Sequence, residues 1–433
     1  MLAWLGFATV LTFVVLIMTK RLSAVVALIA VPIIFGLVAG AGPGIGDMML
    51  EGILQVAPIA LLLSFAILYF GIMMDAGLFD PLVKAILGRV GTDPLKIAMG
   101  TAIMAALVSI DGDGTTTALI VITALLPVYR NIGMNVLILA TLLGLTNSLM
   151  NFVPWGGPAA RAAAALDVDL VSGIFLPLIP AVLVGLAATF GLAWWFGLSE
   201  RKRLDYPTGD PERTQGVEVG FGNQPERRPR LFWFNLGLTV MLVVGMITGI
   251  APLPALMMGG FAIAVTVNYP SLDQQRERLG SHAENLMMVV ALIFAAGSFT
   301  GIVQATGMLD AMGEALVTVV PPSMGAYLAP ITALLSLPLT FLMSNDAYYF
   351  GIVPVVAQTA AEYGVPAEAI ARASLLGQPV HALSPLLAPI YLACGLLGVE
   401  VGDAQRFALK YAVGVSMIVI AAALLTMAIP LRV

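Results

Sequence analysis

Apolar residues run along the chain in long unbroken blocks, with polar residues gathered between the blocks rather than alternating inside them. A helix needs roughly 17–25 mostly apolar residues to cross a bilayer, whereas membrane strands would alternate. On that measure the pattern predicts spanning helices at 2–19, 22–41, 55–75, 135–166, 171–197, 231–250, 252–268, 284–305, 366–395 and 407–430. Two further apolar regions, 94–128 and 324–357, are interrupted by polar tips, and each is read as a re-entrant helical hairpin. The first block has no basic residues ahead of it, and Lys20 and Arg21 follow it, so it reads as a span rather than a removable leader.

Composition agrees with the pattern. Of 433 residues, 60% are hydrophobic and 10% charged, and the mean hydropathy is +0.99. Soluble domains carry about 25% charged residues, so 20 Lys+Arg and 25 Asp+Glu could not cover a soluble protein of this length. A cytoplasmic enzyme, a nucleic-acid binder and a disordered chain are excluded on these grounds. The expectation is an all-α polytopic protein of the plasma (inner) membrane, with the lipid bilayer as its first partner. The single cysteine, Cys394, excludes a disulfide framework and a Cys-rich metal site.

The basic residues orient the spans. With Lys20 and Arg21 in the cytoplasm, all basic residues but Arg161, Arg372 and Arg432 fall inside or at that boundary. Both termini then face outward, the polar segment 199–230 is a cytoplasmic linker, and a cytoplasmic loop carries Arg276, Arg278 and His282.

The two sides of that linker resemble each other. Gly71, Ile72, Gly77 and Asp80 match Gly301, Ile302, Gly307 and Asp310; ATLLG at 140–144 matches ASLLG at 373–377; and the tips read SID at 109–111 and SND at 344–346. Five spans and one hairpin per half make the second copy enter the membrane upside down. The predicted organisation is a first inverted repeat over 1–198, the linker 199–230 and a second inverted repeat over 231–433. This is the arrangement of secondary transporters, whose sites lie at interrupted helices near the midplane; channels and enzymes can also be duplicated.

Ionisable groups at membrane depth are costly and are functional candidates for that reason. The first tip places Ser109, Asp111, Asp113, Thr115 and Thr116 among glycines that permit a tight reversal. Its Thr run opens the return helix, whose free N–H groups favour an anion, while the carboxylates favour a hard cation; helix capping is the plainer alternative. The second tip supplies Ser344, Asn345 and Asp346. Tyr348 and Tyr349 after it are read first as interfacial belt residues and second as lining of a substrate path. Asn147 and Asn151 run into Pro154, Gly156, Gly157 and Pro158, which should break the helix in mid-span. The corresponding break holds Gln378, His381 and Ser384, with His381 as a candidate proton carrier or hydrogen-bonding group. Arg161 neutralises a substrate carboxylate, pairs with an internal Asp, or snorkels outward. No GxxxxGK[ST] or HExxH motif is present, so neither an ATP-driven nor a zinc mechanism is visible.

The stretches LIMTKRLSAVVALIAVPIIFGL, FGIMMDAGLFDPLV, DGDGTTT and NFVPWGGPAARAAAAL resemble the citrate–metal symporter family (CitMHS) of the ion transporter superfamily. The resemblance covers nearly the whole chain and is strongest in its first half. It implies a scaffold domain and a mobile transport domain holding the hairpins and broken helices, elevator-type alternating access, and a homodimer. It also implies proton-driven uptake of citrate complexed with a divalent cation, with no permanently bound cofactor. Citrate with Mg²⁺ or Ca²⁺ carries one net negative charge and presents a hard cation to carboxylates, which fits the acidic first tip.

On this footing Asp111, Asp113 and Asp346 are assigned to the metal, and Asp113 and His381 to protons. Ser109, Thr115, Thr116, Asn147, Asn151, Gly156, Gly157, Arg161, Ser344, Asn345, Gln378 and Ser384 are assigned to the substrate. Competing readings are a proton- or sodium-coupled carrier of gluconate, lactate or a dicarboxylate, and a channel or cation/proton antiporter.

Overall fold

The computed structural model describes residues 1–112, 114–206 and 227–433, and all regular structure among them is helical. Before the undescribed stretch stand α1 (Leu2–Met18), α2 (Ala24–Val38), α3 (Ile45–Asp75), α4 (Asp80–Val90), α5 (Pro94–Val108), α6 (Gly114–Ile132), α7 (Val136–Met150), α8 (Gly157–Leu166) and α9 (Leu176–Arg203). After it come α10 (Phe232–Thr248), α11 (Leu253–Asn268), α12 (Leu272–Ala305), α13 (Met308–Val317), α14 (Pro322–Gly325) and α15 (Leu328–Leu342). The chain ends with α16 (Val353–Ala361), α17 (Ala367–Leu375), α18 (Gln378–His381), α19 (Ala388–Leu397) and α20 (Val401–Leu425). Most of the expected linker 199–230 lies outside the described residues, as does Asp113. Among the described residues, seven helices are long and apolar enough to cross a membrane.

Three sequence readings need correction. The helix expected over 55–75 begins at Ile45, because Asp47 and Glu51 sit near its N-terminus, where acidic side chains complement the helix dipole. The segment before 284 is likewise helical, not a loop. Ser271 caps α12 by accepting from the Gln274 N–H at 3.3 Å, and His282 lies on that helix with Nε2 3.0 Å from Asp75. Tyr348 and Tyr349 are not interfacial: at 1% and 0% exposure both are enclosed by protein. Two short amphipathic helices, α4 and α13, lie between the long apolar runs.

Small residues set a close helix crossing between α3 and α12. Gly297 and Gly301 of α12, four apart, face Gly52 of α3, and a Cβ on Gly52 would stand 2.0 Å from the Gly297 carbonyl oxygen. Backbones approach this closely only where side chains are absent. Elsewhere α5 and α20 pack on α9, and α15 packs on α17 and α18. The hairpin helices follow one rule in both halves. The outgoing helix packs on its own half's broken helix, α5 on α7 and α15 on α17. The return helix packs on its own half's broken helix, α6 on α7 and α16 on α17, and also reaches the other half's, α6 on α19 and α16 on α8.

Candidate substrate site

Two helix breaks and two tips converge. The first break separates α7 from α8 at residues 151–156. Gly156 makes the chain reversal possible, since a Cβ there would lie 2.0 Å from the Asn151 carbonyl oxygen. Pro158 stands in the first turn of α8, where its missing N–H costs nothing. The first tip docks on this break: Trp155 donates from Nε1 to the Ile110 carbonyl at 2.6 Å, and Asn147 donates from Nδ2 to Ser109 Oγ at 3.1 Å. Gly112 turns the tip at φ +79°, a conformation that suits glycine.

The second tip docks on the second break in the same manner. Helix α15 ends at Leu342, and the last carbonyls of a helix have no partner within it. Thr340 and Phe341 carbonyls are instead met by His381 Nδ1 at 2.5 Å and by Ser384 Oγ at 2.8 Å. Gln378 donates from Nε2 to Tyr349 Oη at 2.9 Å and reaches Asn345 Oδ1 at 3.5 Å. Ser344 accepts from the Ala347 N–H at 3.2 Å, which closes the turn into the return helix.

Between the breaks lies a cavity of about 190 Å³. Its polar wall is formed by Asn147, Asn151, Arg161, Asn345, Gln378 and His381, with Gly112, Gly114 and Gly157 giving close backbone approach. Arg161 donates from Nε to Asp346 Oδ1 at 2.7 Å, and each side chain is 20% exposed. Of the three roles open to Arg161 in the sequence, the structure shows the internal ion pair. Asp346, expected as a metal ligand, pairs with that guanidinium through Oδ1.

Two acceptors in the cavity wall are buried with no partner, Asn151 Oδ1 and His381 Nε2. The remaining candidates stand back from the wall. Ser109 and Ser384 are buried and act through hydrogen bonds to Asn147 and Phe341, and Ser344 closes its own turn. Gly156 shapes the break. Thr115 is exposed, and neither it nor Thr116 or Asp111 lines the cavity. Among the described residues no group of three or more His, Cys, Asp or Glu gathers as a metal cluster. Trp155, which holds the first tip, is not among the residues the sequence assigns to the site, whereas Tyr349, which meets Gln378 at the second, is there a secondary candidate for the substrate path. A tryptophan inside a Pro- and Gly-rich break was the signal available for Trp155.

An apolar helical chain with two interrupted helices around a polar interior cavity has the parts of a membrane carrier. The chain belongs to the CitMHS family, whose model is described as "Citrate transporter" and matches residues 13–377. It is an integral membrane protein of a transporter family, not an enzyme. It is 50% identical to the "Citrate transporter" of Bacillus subtilis (strain 168) over 431 residues, covering 98% of this chain and 99% of that one. The "Mg(2+)/citrate complex secondary transporter" of the same organism is 47% identical, with full coverage of both chains (100% each). In structure the chain resembles the MtrF protein of Neisseria gonorrhoeae, with TM-score 0.61, 14% identity and coverage of 90% and 85%. The YdaH transporter of Alcanivorax borkumensis gives TM-score 0.56 at 15% identity, covering 89% of each chain. These two share the fold.

Proposed function

We propose that this protein carries citrate complexed with Mg²⁺ or Ca²⁺ into the cell by proton-coupled symport. The observation that carries the reading is the mixed polarity of the cavity. Gly157, Pro158 and Arg161 present the N-terminal end of α8 together with a guanidinium. Both attract carboxylates. In the same cavity wall Asn151 and His381 offer acceptors without donors. A cargo made only of carboxylates would leave those acceptors unpaired, at about 1–3 kcal/mol each. A metal–citrate complex presents carboxylates, a hard cation with its bound water, and a hydroxyl. Its single net negative charge also suits one guanidinium better than the three charges of free citrate. The name of the relative at 47% identity supports the same cargo.

The two halves are proposed to be inverted repeats, bounded at 198 and 231, with both termini outside. The reciprocal packing of the return helices, α6 on α19 and α16 on α8, supports a two-fold relation. In this reading the hairpins and broken helices move together as the transport domain of a homodimer, against a scaffold that includes the α3–α12 crossing. Asp111, set back from the cavity wall beside the lining Gly112, and Asp113 are the proposed metal and proton groups of the first tip. Uptake of labelled citrate into proteoliposomes under an imposed gradient tests the coupling. An inward proton gradient should drive accumulation and an inward sodium gradient should not; the reverse would contradict the reading.

A further inference from the structure

His381 sits in the cavity wall at 3% exposure, and its two ring nitrogens have different surroundings. Nδ1 lies 2.5 Å from the Thr340 carbonyl oxygen, one of the carbonyls orphaned where α15 ends. A carbonyl only accepts, so Nδ1 carries the hydrogen. In the neutral ring, Nε2 is then a bare lone pair, and it is buried with no partner. A proton on Nε2 would add a second cation to the cavity that already holds Arg161, while Asp346 is engaged by that guanidinium. The arrangement favours a neutral ring that accepts.

We propose that Nε2 of His381 accepts a hydrogen bond from the hydroxyl of the cargo, and thereby selects a hydroxy acid over its deoxy counterpart. This rests on reading the cavity as the carboxylate site. A carboxylate cannot satisfy Nε2, because it has no hydrogen to give. A hydroxyl can, and so can a metal-bound water; only the first distinguishes one organic acid from another. Buried polar groups built to meet a substrate O–H reject analogues that lack it far more strongly than apolar pockets reject a change of size.

Two substitutions separate the nitrogens. His381→Asn keeps a donor near the Nδ1 position for Thr340 and removes the acceptor at Nε2. His381→Gln keeps an acceptor near Nε2 and loses the donor to Thr340. Uptake of labelled citrate at saturating Mg²⁺ is competed with unlabelled citrate or tricarballylate, the same tricarboxylate without the hydroxyl. The readout is the ratio of their half-inhibitory concentrations in each protein, with a thermal melt as a folding control.

The wild-type protein should prefer citrate strongly. His381→Asn should weaken citrate by about 10-fold, the worth of one hydrogen bond, and leave tricarballylate within about twofold. His381→Gln should keep more of the preference while melting lower. An undiminished preference in His381→Asn, or equal weakening of both acids, overturns the proposal; equal weakening is also what a metal-bound water at Nε2 would give. Citrate uptake by the wild-type protein tests the carboxylate reading separately. Malate against succinate reads the same selection if the cargo is a shorter hydroxy acid.

Discussion

Arg161 on α8 and Asp346 at the second tip form an ion pair at 2.7 Å across 185 residues of sequence. The pair ties the broken helix of one half to the hairpin of the other, and it holds the guanidinium at the cavity wall. Removing Arg161 leaves a largely buried carboxylate without its cation, which costs about 1–3 kcal/mol for a pair this partly exposed. Arg161→Gln should therefore melt lower and lose citrate uptake by about 100-fold or more. Asp346→Asn leaves the guanidinium available to the cargo and should keep uptake within about tenfold of wild type. The double variant should recover much of the lost stability without recovering uptake. Melting curves in detergent and uptake rates from the same preparations check all three.

Adjacent glycines at the first break should behave differently. A Cβ on Gly156 meets the Asn151 backbone carbonyl at 2.0 Å, which cannot move without undoing the reversal. A Cβ on Gly157 meets only Arg161 Nη1, at 2.8 Å, the far end of a flexible side chain. Gly156→Ala should cost about 3 kcal/mol or more and deplete folded protein. Gly157→Ala should fold within about 1 kcal/mol of wild type, yet transport more slowly because the guanidinium is displaced. Folded yield by size-exclusion chromatography and uptake per folded molecule distinguish them.

Asp93 caps α5, accepting from the Leu95 N–H at 3.0 Å and from Arg201 Nε at 2.7 Å. Burial raises its carboxyl, but the hydrogen bonds from Arg201 and Leu95 and the charges of Arg201 and Lys96 outweigh it, so the net shift is below the ordinary value of 3.8. A depressed folded-state value stabilises the fold above the ordinary carboxylate range and is lost as pH falls through it. Melting temperature should fall on acidification below about pH 5, and Asp93→Asn should flatten that dependence. Asp93→Ala also removes the cap and should cost about 1–2 kcal/mol at neutral pH.

The proposed orientation is accessible to labelling, because Cys394 is the single cysteine and is buried. In a Cys394→Ala background, Arg432→Cys should react with a membrane-impermeant maleimide on intact cells. Arg276→Cys, exposed on α12, should react only after the cells are opened. The opposite pattern would place the termini inside.

The spans were legible in the sequence because burial in lipid demands long apolar runs. Their ends were less so: α3 and α12 begin well before the apolar runs they contain, carrying Asp47, Glu51 and the Arg276–Arg278 stretch in turns that tolerate charge. Helices α4 and α13, at 11 and 10 residues, are too short and amphipathic to register as spans. At the site, residue types and break positions could be read from Pro, Gly and the scarcity of charge. The pairings could not. Nothing local to Arg161 points to Asp346, and nothing local to His381 points to the frayed end of α15. Both depend on how the tips dock, a matter of packing between distant segments.

The central claim, that the cargo is the metal complex, is tested most directly by following both components at once. Proteoliposomes holding a luminal Mg²⁺ indicator are given labelled citrate and Mg²⁺ under an inward proton gradient. Luminal Mg²⁺ and citrate should rise together in equal amounts, and external EDTA should stop both. Citrate accumulation without a rise in luminal Mg²⁺, at a rate that EDTA leaves unchanged, would contradict it.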